Sequence, residues 1–239
     1  MKLANLAKFK DKFYMMTIVA VLTYLIGTFI SFFIYTGGYQ GNPTSPGYSF
    51  VYNAFSDLGL FTAISGNPNL VSAVIYMVIL AFVGIALLGF FIFLPAIFRK
   101  SRVGTVLSII GSGLGIWSSI CLVGIAFTPA DLFNVYHLYF SNNAFMFSSL
   151  ASLLYGLAII GTKRYPTKYS ILFLAFGVCV LLYGMIFIPE SWKMSFVDGL
   201  LVRNLGQKIV VYLWMITDGV GAYVAWKLVK AEKVAVASK

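Results

Sequence analysis

Residues 70–97 read LVSAVIYMVILAFVGIALLGFFIFLPAI. The run holds no charged side chain and exceeds the roughly 20 apolar residues that a helix needs to cross a bilayer core. Working outward from it, five more runs of the same kind appear, at about residues 14–35, 103–127, 138–160, 169–188 and 205–226, parted by polar, proline- or glycine-bearing stretches. The whole chain is 60% apolar and only 10% charged, too greasy for an ordinary water-soluble domain. The reading is an all-α, polytopic membrane protein: a bundle of six transmembrane helices forming one transmembrane domain over residues 1–239.

The first run follows Lys2, Lys8, Lys10 and Lys12, as a secretory signal would. About 22 apolar residues exceed the 7–15 of a cleavable signal core, so it reads as a retained anchor. Basic residues then recur in alternate loops: Arg99, Lys100 and Arg102; Lys163, Arg164 and Lys168; Lys227, Lys230, Lys233 and Lys239. With the amino-terminal four they make fourteen of the seventeen, which places those loops and both termini in the cytoplasm of a cell membrane. The opposite side carries Lys193, Arg203 and Lys208 against Asp57, Asp131, Glu190 and Asp198. The net charge of +10 therefore reports topology and attraction to anionic lipid. It does not point to nucleic acid, since the basic residues are dispersed in short loops and form no patch.

Several chemistries are set aside by what is missing. Cys121 and Cys179 fall inside expected spans, where a thiol behaves as a small apolar group, so no disulfide framework is expected. A single histidine, with no CxxC or HExxH, gives weak support for a metal, and no metal or other cofactor is expected. Asn42 is followed by proline and offers no glycosylation acceptor.

In lipid, helices associate by close approach over small residues. The third run offers two such rows, Gly104, Ser108, Ser112 and Gly111, Gly115, Ser119, and the fourth a row of Ser148, Ser152 and Gly156. Packing within one chain is the first reading of these rows; a homo-oligomer or a membrane complex partner is the second. Asp218 stands deep in the sixth run, with Trp214, Gly221, Ala222 and Ala225 on its face. A carboxylate at that depth costs roughly 2.5–3.5 kcal/mol on insertion scales and needs a proton, a hydrogen bond or water to offset it.

The outer segments hold the concentrated polarity. The first loop contains Tyr52-Asn53-Ala54-Phe55-Ser56-Asp57-Leu58-Gly59. The second contains Thr128-Pro129-Ala130-Asp131, then His137, Ser141, Asn142 and Asn143. The third runs from Glu190, Ser191 and Trp192 through Asp198 to Arg203 and Asn204. His137 falls at headgroup level with Ser141 one turn deeper on the same face, a position suited to an acid or base acting on a lipid. Taken alone, it reads first as an interfacial histidine bonded to Asp131 or Asp57, and Asp57 reads also as the cap of a short turn. Ser56 or Ser141 with His137 would allow serine-based hydrolysis, but no oxyanion arrangement is legible.

Phe55-Ser56-Asp57-Leu58-Gly59 after the first helix, His137 opening the fourth and Gly199-Leu200-Leu201-Val202-Arg203 opening the sixth resemble an uncharacterised prokaryotic family, domain of unknown function nine-nine-eight. That family is in turn similar to a eukaryotic group containing the damage-regulated autophagy modulators and a remodelling factor for the lipid of GPI anchors. The resemblance implies a six-helix bundle with its polar residues on the non-cytoplasmic side. It supplies no reaction, and the chain departs from the pattern at Val202, where the family often has an acid before the arginine.

The leading expectation is a protein that binds or remodels a membrane lipid in an outer polar pocket. His137 and Asp57 would be the proton-transfer groups, and Ser56, Asp131, Asn143 and Arg203 the ligand contacts. A small-solute or proton-coupled transporter using Asp218, and a non-catalytic scaffold or accessory subunit, are the alternatives.

Overall fold

The computed structural model describes residues 9–162 and 164–237. The chain is all-α, and six of its helices are long and apolar enough to cross a membrane. They are α1 (Lys10–Ile34), α2 (Leu70–Ile97), α3 (Arg102–Ala126), α4 (Ala130–Ile160), α5 (Thr167–Ser191) and α6 (Phe196–Ala237). Local chemistry sets their ends. The last turn of α2 tightens around Pro95, and Ser101 caps α3 by accepting from the Gly104 amide at 3.1 Å while donating to the Gly161 carbonyl at 2.8 Å. Within α5, Pro189 has no amide to bond back to the preceding turn, and the helix widens to a π turn over Tyr183–Phe187 just before it.

Two expected boundaries move. The fourth helix starts at Ala130 and not near residue 138, because the chain turns through a kink at Phe133 (φ −135°, ψ 45°) and carries on as helix. The sixth starts at Phe196 and runs to Ala237, well outside the expected 205–226, because its polar ends are helical too.

Each helix from α1 to α5 packs on the next, and α6 closes the bundle against both α1 and α5. The small-residue rows are spent within the chain. Gly104, Ser108, Ser112, Gly111, Gly115 and Ser119 are all buried, with Gly111 against the Tyr155 ring and Gly115 against the Phe91 ring. Ser148, Ser152 and Gly156 are buried as well, and Gly156 abuts Leu174 of α5. Hydroxyls cross between helices where these rows meet. Ser112 shares a hydrogen bond with Tyr155 at 2.6 Å, Ser118 donates to the Ala144 carbonyl at 2.8 Å, and Ser152 donates to the Phe173 carbonyl at 2.8 Å.

The two ends of the bundle differ. One gathers most of the described basic residues, where Arg164 pairs with Glu232 and Lys233 with Asp11. Lys2, Lys8, Lys163 and Lys239 lie outside the described residues. The other end is covered by the long first loop, whose tight start needs glycine: at Gly38 (φ +82°) a Cβ would stand 2.4 Å from the Ser65 amide nitrogen.

Candidate functional site

The first loop is held down by one face of α6. Gln207 accepts the Phe55 amide at 2.9 Å, Asn204 donates to the Tyr52 carbonyl, and Lys208 donates to the Asn53 carbonyl. Lys208 is almost fully buried, at 1% exposure, and its ammonium also donates to the Asn204 carbonyl at 3.2 Å. The rings of Tyr48, Phe50 and Phe55 surround it at 5.4–5.5 Å.

Asn53 is the centre of this knot. Its amide donates to the Gly38 carbonyl at 2.9 Å and to Asp57 at 2.8 Å, and its side-chain oxygen accepts the Ser49 amide at 2.8 Å. Asp57 also accepts the Ala54 amide at 3.0 Å, capping the short turn Phe55–Gly59. Burial pushes the Asp57 carboxyl above the usual carboxylate range, against the pull of the Asn53 and Ala54 hydrogen bonds and of the Lys208 charge. Every polar atom named here has a partner.

A second polar group lies on the other side of the Phe55–Ser56 turn. Ser56, His137, Ser141 and Gln207 line a cavity of about 40 Å³, walled by Tyr24, Phe55, Tyr76, Phe145 and Trp214 among others. His137 is 7% exposed, and its Nδ1 lies 2.7 Å from the Thr128 carbonyl. A carbonyl only accepts, so Nδ1 carries the proton and Nε2 keeps a lone pair. Ser56 and Ser141 make no hydrogen bond within the described residues, although most helical serines and threonines here donate to a carbonyl. Gln207 engages only its oxygen, leaving its amide N–H groups free.

The remaining expected site residues are elsewhere. Asp131 accepts the Phe61 and Thr62 amides at 3.0 and 2.9 Å and so ties the loop to the start of α4. Asn143 donates to the Tyr139 carbonyl of its own helix at 2.8 Å. Asp218 is 4% exposed and accepts the Trp214 indole at 2.8 Å. Arg203 stacks 4.2 Å above the Trp192 ring and donates to Ser191 at 3.2 Å. Its chain neighbour Val202 lines a wide apolar groove of about 360 Å³ between α5 and α6, together with Cys179, Leu182, Phe187 and Ile209 among others.

The expected meeting of Asp57, His137 and Arg203 does not occur: among the described residues the three share no hydrogen bond, and they sit in the knot, in the chamber and against Trp192 respectively. Lys208, Gln207 and Asn53 were missed as functional candidates. The signal for Lys208 was present, since a lysine one turn inside an apolar run is as unusual as Asp218 in the same helix. No three histidine, cysteine, aspartate or glutamate side chains among the described residues are grouped to hold a metal ion. Compared with known proteins, the chain matches no family model, no curated protein and no solved structure.

Proposed function

We propose that this chain spans a membrane with its basic end in the cytoplasm and its loop-covered end outside, and that it binds an anionic membrane lipid between α5 and α6. The charge asymmetry of the loops supports the orientation. Exposed apolar side chains on the helix flanks support insertion: Phe33 is 77% exposed, Ile171 73% and Met185 73%, surface that water would penalise. The likeness to the uncharacterised six-helix family belongs to the same proposal.

One observation carries the ligand. An apolar groove of about 360 Å³ runs between α5 and α6, and Arg203 follows directly in sequence on its lining residue Val202. An acyl chain matches the groove, and a phosphate matches the forked donors of Arg203. Trp192, 71% exposed beside it, is the side chain expected where hydrocarbon gives way to headgroups. Asp218 lines neither the groove nor the chamber, which favours lipid binding over transport through the bundle.

Native mass spectrometry of the purified protein tests this. An anionic phospholipid should remain bound, and should be lost both from Arg203→Ala and from Ile209→Trp, which fills the groove from its exposed side. Absence of retained lipid, or equal retention by both variants, overturns the reading.

A further inference from the structure

The chamber contains the parts of an acyl-transfer site. His137 is held by its Nδ1–H on the Thr128 carbonyl, which fixes the tautomer and leaves Nε2 as a base. Ser56 lines the same cavity with its hydroxyl unpaired. Gln207 is anchored by its oxygen on the amide of Phe55, the residue before Ser56, so its free N–H groups stand beside that hydroxyl's turn. An oriented base, an unpaired hydroxyl and an anchored amide donor around one cavity are groups that ester cleavage by serine uses.

We infer that the chamber is a serine esterase site, with Ser56 as nucleophile, His137 as base and Gln207 as oxyanion donor, acting on a carboxylic ester of a membrane lipid. Ser56 Oγ adds to the ester carbonyl carbon while its proton passes to His137 Nε2. Gln207 donates to the oxygen that gains negative charge. Collapse breaks the bond to the alcohol oxygen, which takes the proton from His137. Water, giving a proton to the same nitrogen, then attacks the acyl-serine; the carboxylic acid leaves and Ser56 regains its hydrogen. The net reaction is ester plus water to acid plus alcohol. The membrane-lipid reading is needed only for the identity of the ester.

A soluble alkyl fluorophosphonate tests the site in the purified full-length protein, with the adduct mapped by peptide mass spectrometry. The expected result is a phosphonyl group on Ser56, absent from Ser56→Ala and formed on the order of 100-fold more slowly in His137→Gln. Monodisperse size-exclusion profiles establish that the variants are folded, and mapping on the unaltered protein needs no variant. No adduct, or an adduct on Ser141 or another serine, overturns the assignment. The probe does not use the α5–α6 groove. Labelled Ser56 without groove lipid would remove only the lipid reading, and groove lipid without labelling only this one.

Discussion

Two polar groups of residues lie on either side of the Phe55–Ser56 turn and are built on opposite terms. Around Asn53, Asp57 and Lys208 each side chain is held by at least two hydrogen bonds, down to an ammonium enclosed by carbonyls and three rings. Around His137, two hydroxyls, an amide and a ring nitrogen are left unmatched in a small cavity. Saturated polar networks fix a conformation; unmatched ones in an enclosed space carry a free-energy cost and mark where a ligand or reaction belongs. The sequence offers Ser56 and Asp57 as one motif, yet the chain turn sends these neighbours to different duties.

The contrast can be broken experimentally. Asp57→Ala, which takes the acceptor from the Asn53 amide and the Ala54 N–H, should destabilise the fold by roughly 2–4 kcal/mol, read by chemical unfolding in detergent. Lys208→Met should be comparably harmful, and the double variant should lose less than the sum of the two. Independent, additive losses would show that the knot is not one unit.

A pH series sharpens the same point. The Asp57 carboxyl titrates near 3.8 when unfolded and higher when folded. Between the two values the folded chain holds a proton that the unfolded chain releases, so stability should fall as pH rises through that window and level off above it. In Asp57→Asn this slope should be absent.

Chamber variants should be milder. Gln207→Met, which frees the Phe55 amide, should cost about 1 kcal/mol, whereas Ser56→Ala should stay within about 0.5 kcal/mol because no hydrogen bond is lost. A Ser56→Ala effect as large as that of Asp57→Ala would erase the distinction. A small change is expected for Asp218→Asn as well. Its amide oxygen can still accept the Trp214 indole, so unfolding should move by less than about 1 kcal/mol and proton flux in proteoliposomes should not change.

Hydropathy alone made the six helices and their small-residue contacts legible, because lipid-facing helices need long apolar runs and interhelical faces need small side chains. It missed the helical starts at Ala130 and Phe196 because Asp131, Asp198, Arg203 and Asn204 resemble loop residues, while local hydrogen bonding keeps those stretches helical. His137 and Ser141 do share a face, as one turn of spacing requires, and both reach the chamber. Lys208 was counted as a loop charge because charge was used to read sidedness; its burial depends on the fold of a loop that begins some 170 residues earlier in the chain. Gln207 could not be found from spacing at all, since its meaning comes from the Phe55 amide across the bundle.

Helix α6 is a single strut that touches both ends of the molecule. Asn204, Gln207 and Lys208 grip the loop, while Glu232 and Lys233 grip Arg164 and Asp11 about 44 Å away along the same rod. A rigid rod clamped twice cannot rotate or slide at one clamp while staying still at the other. The grip on the loop and the ion pairs at the basic end are therefore carried by one continuous helix.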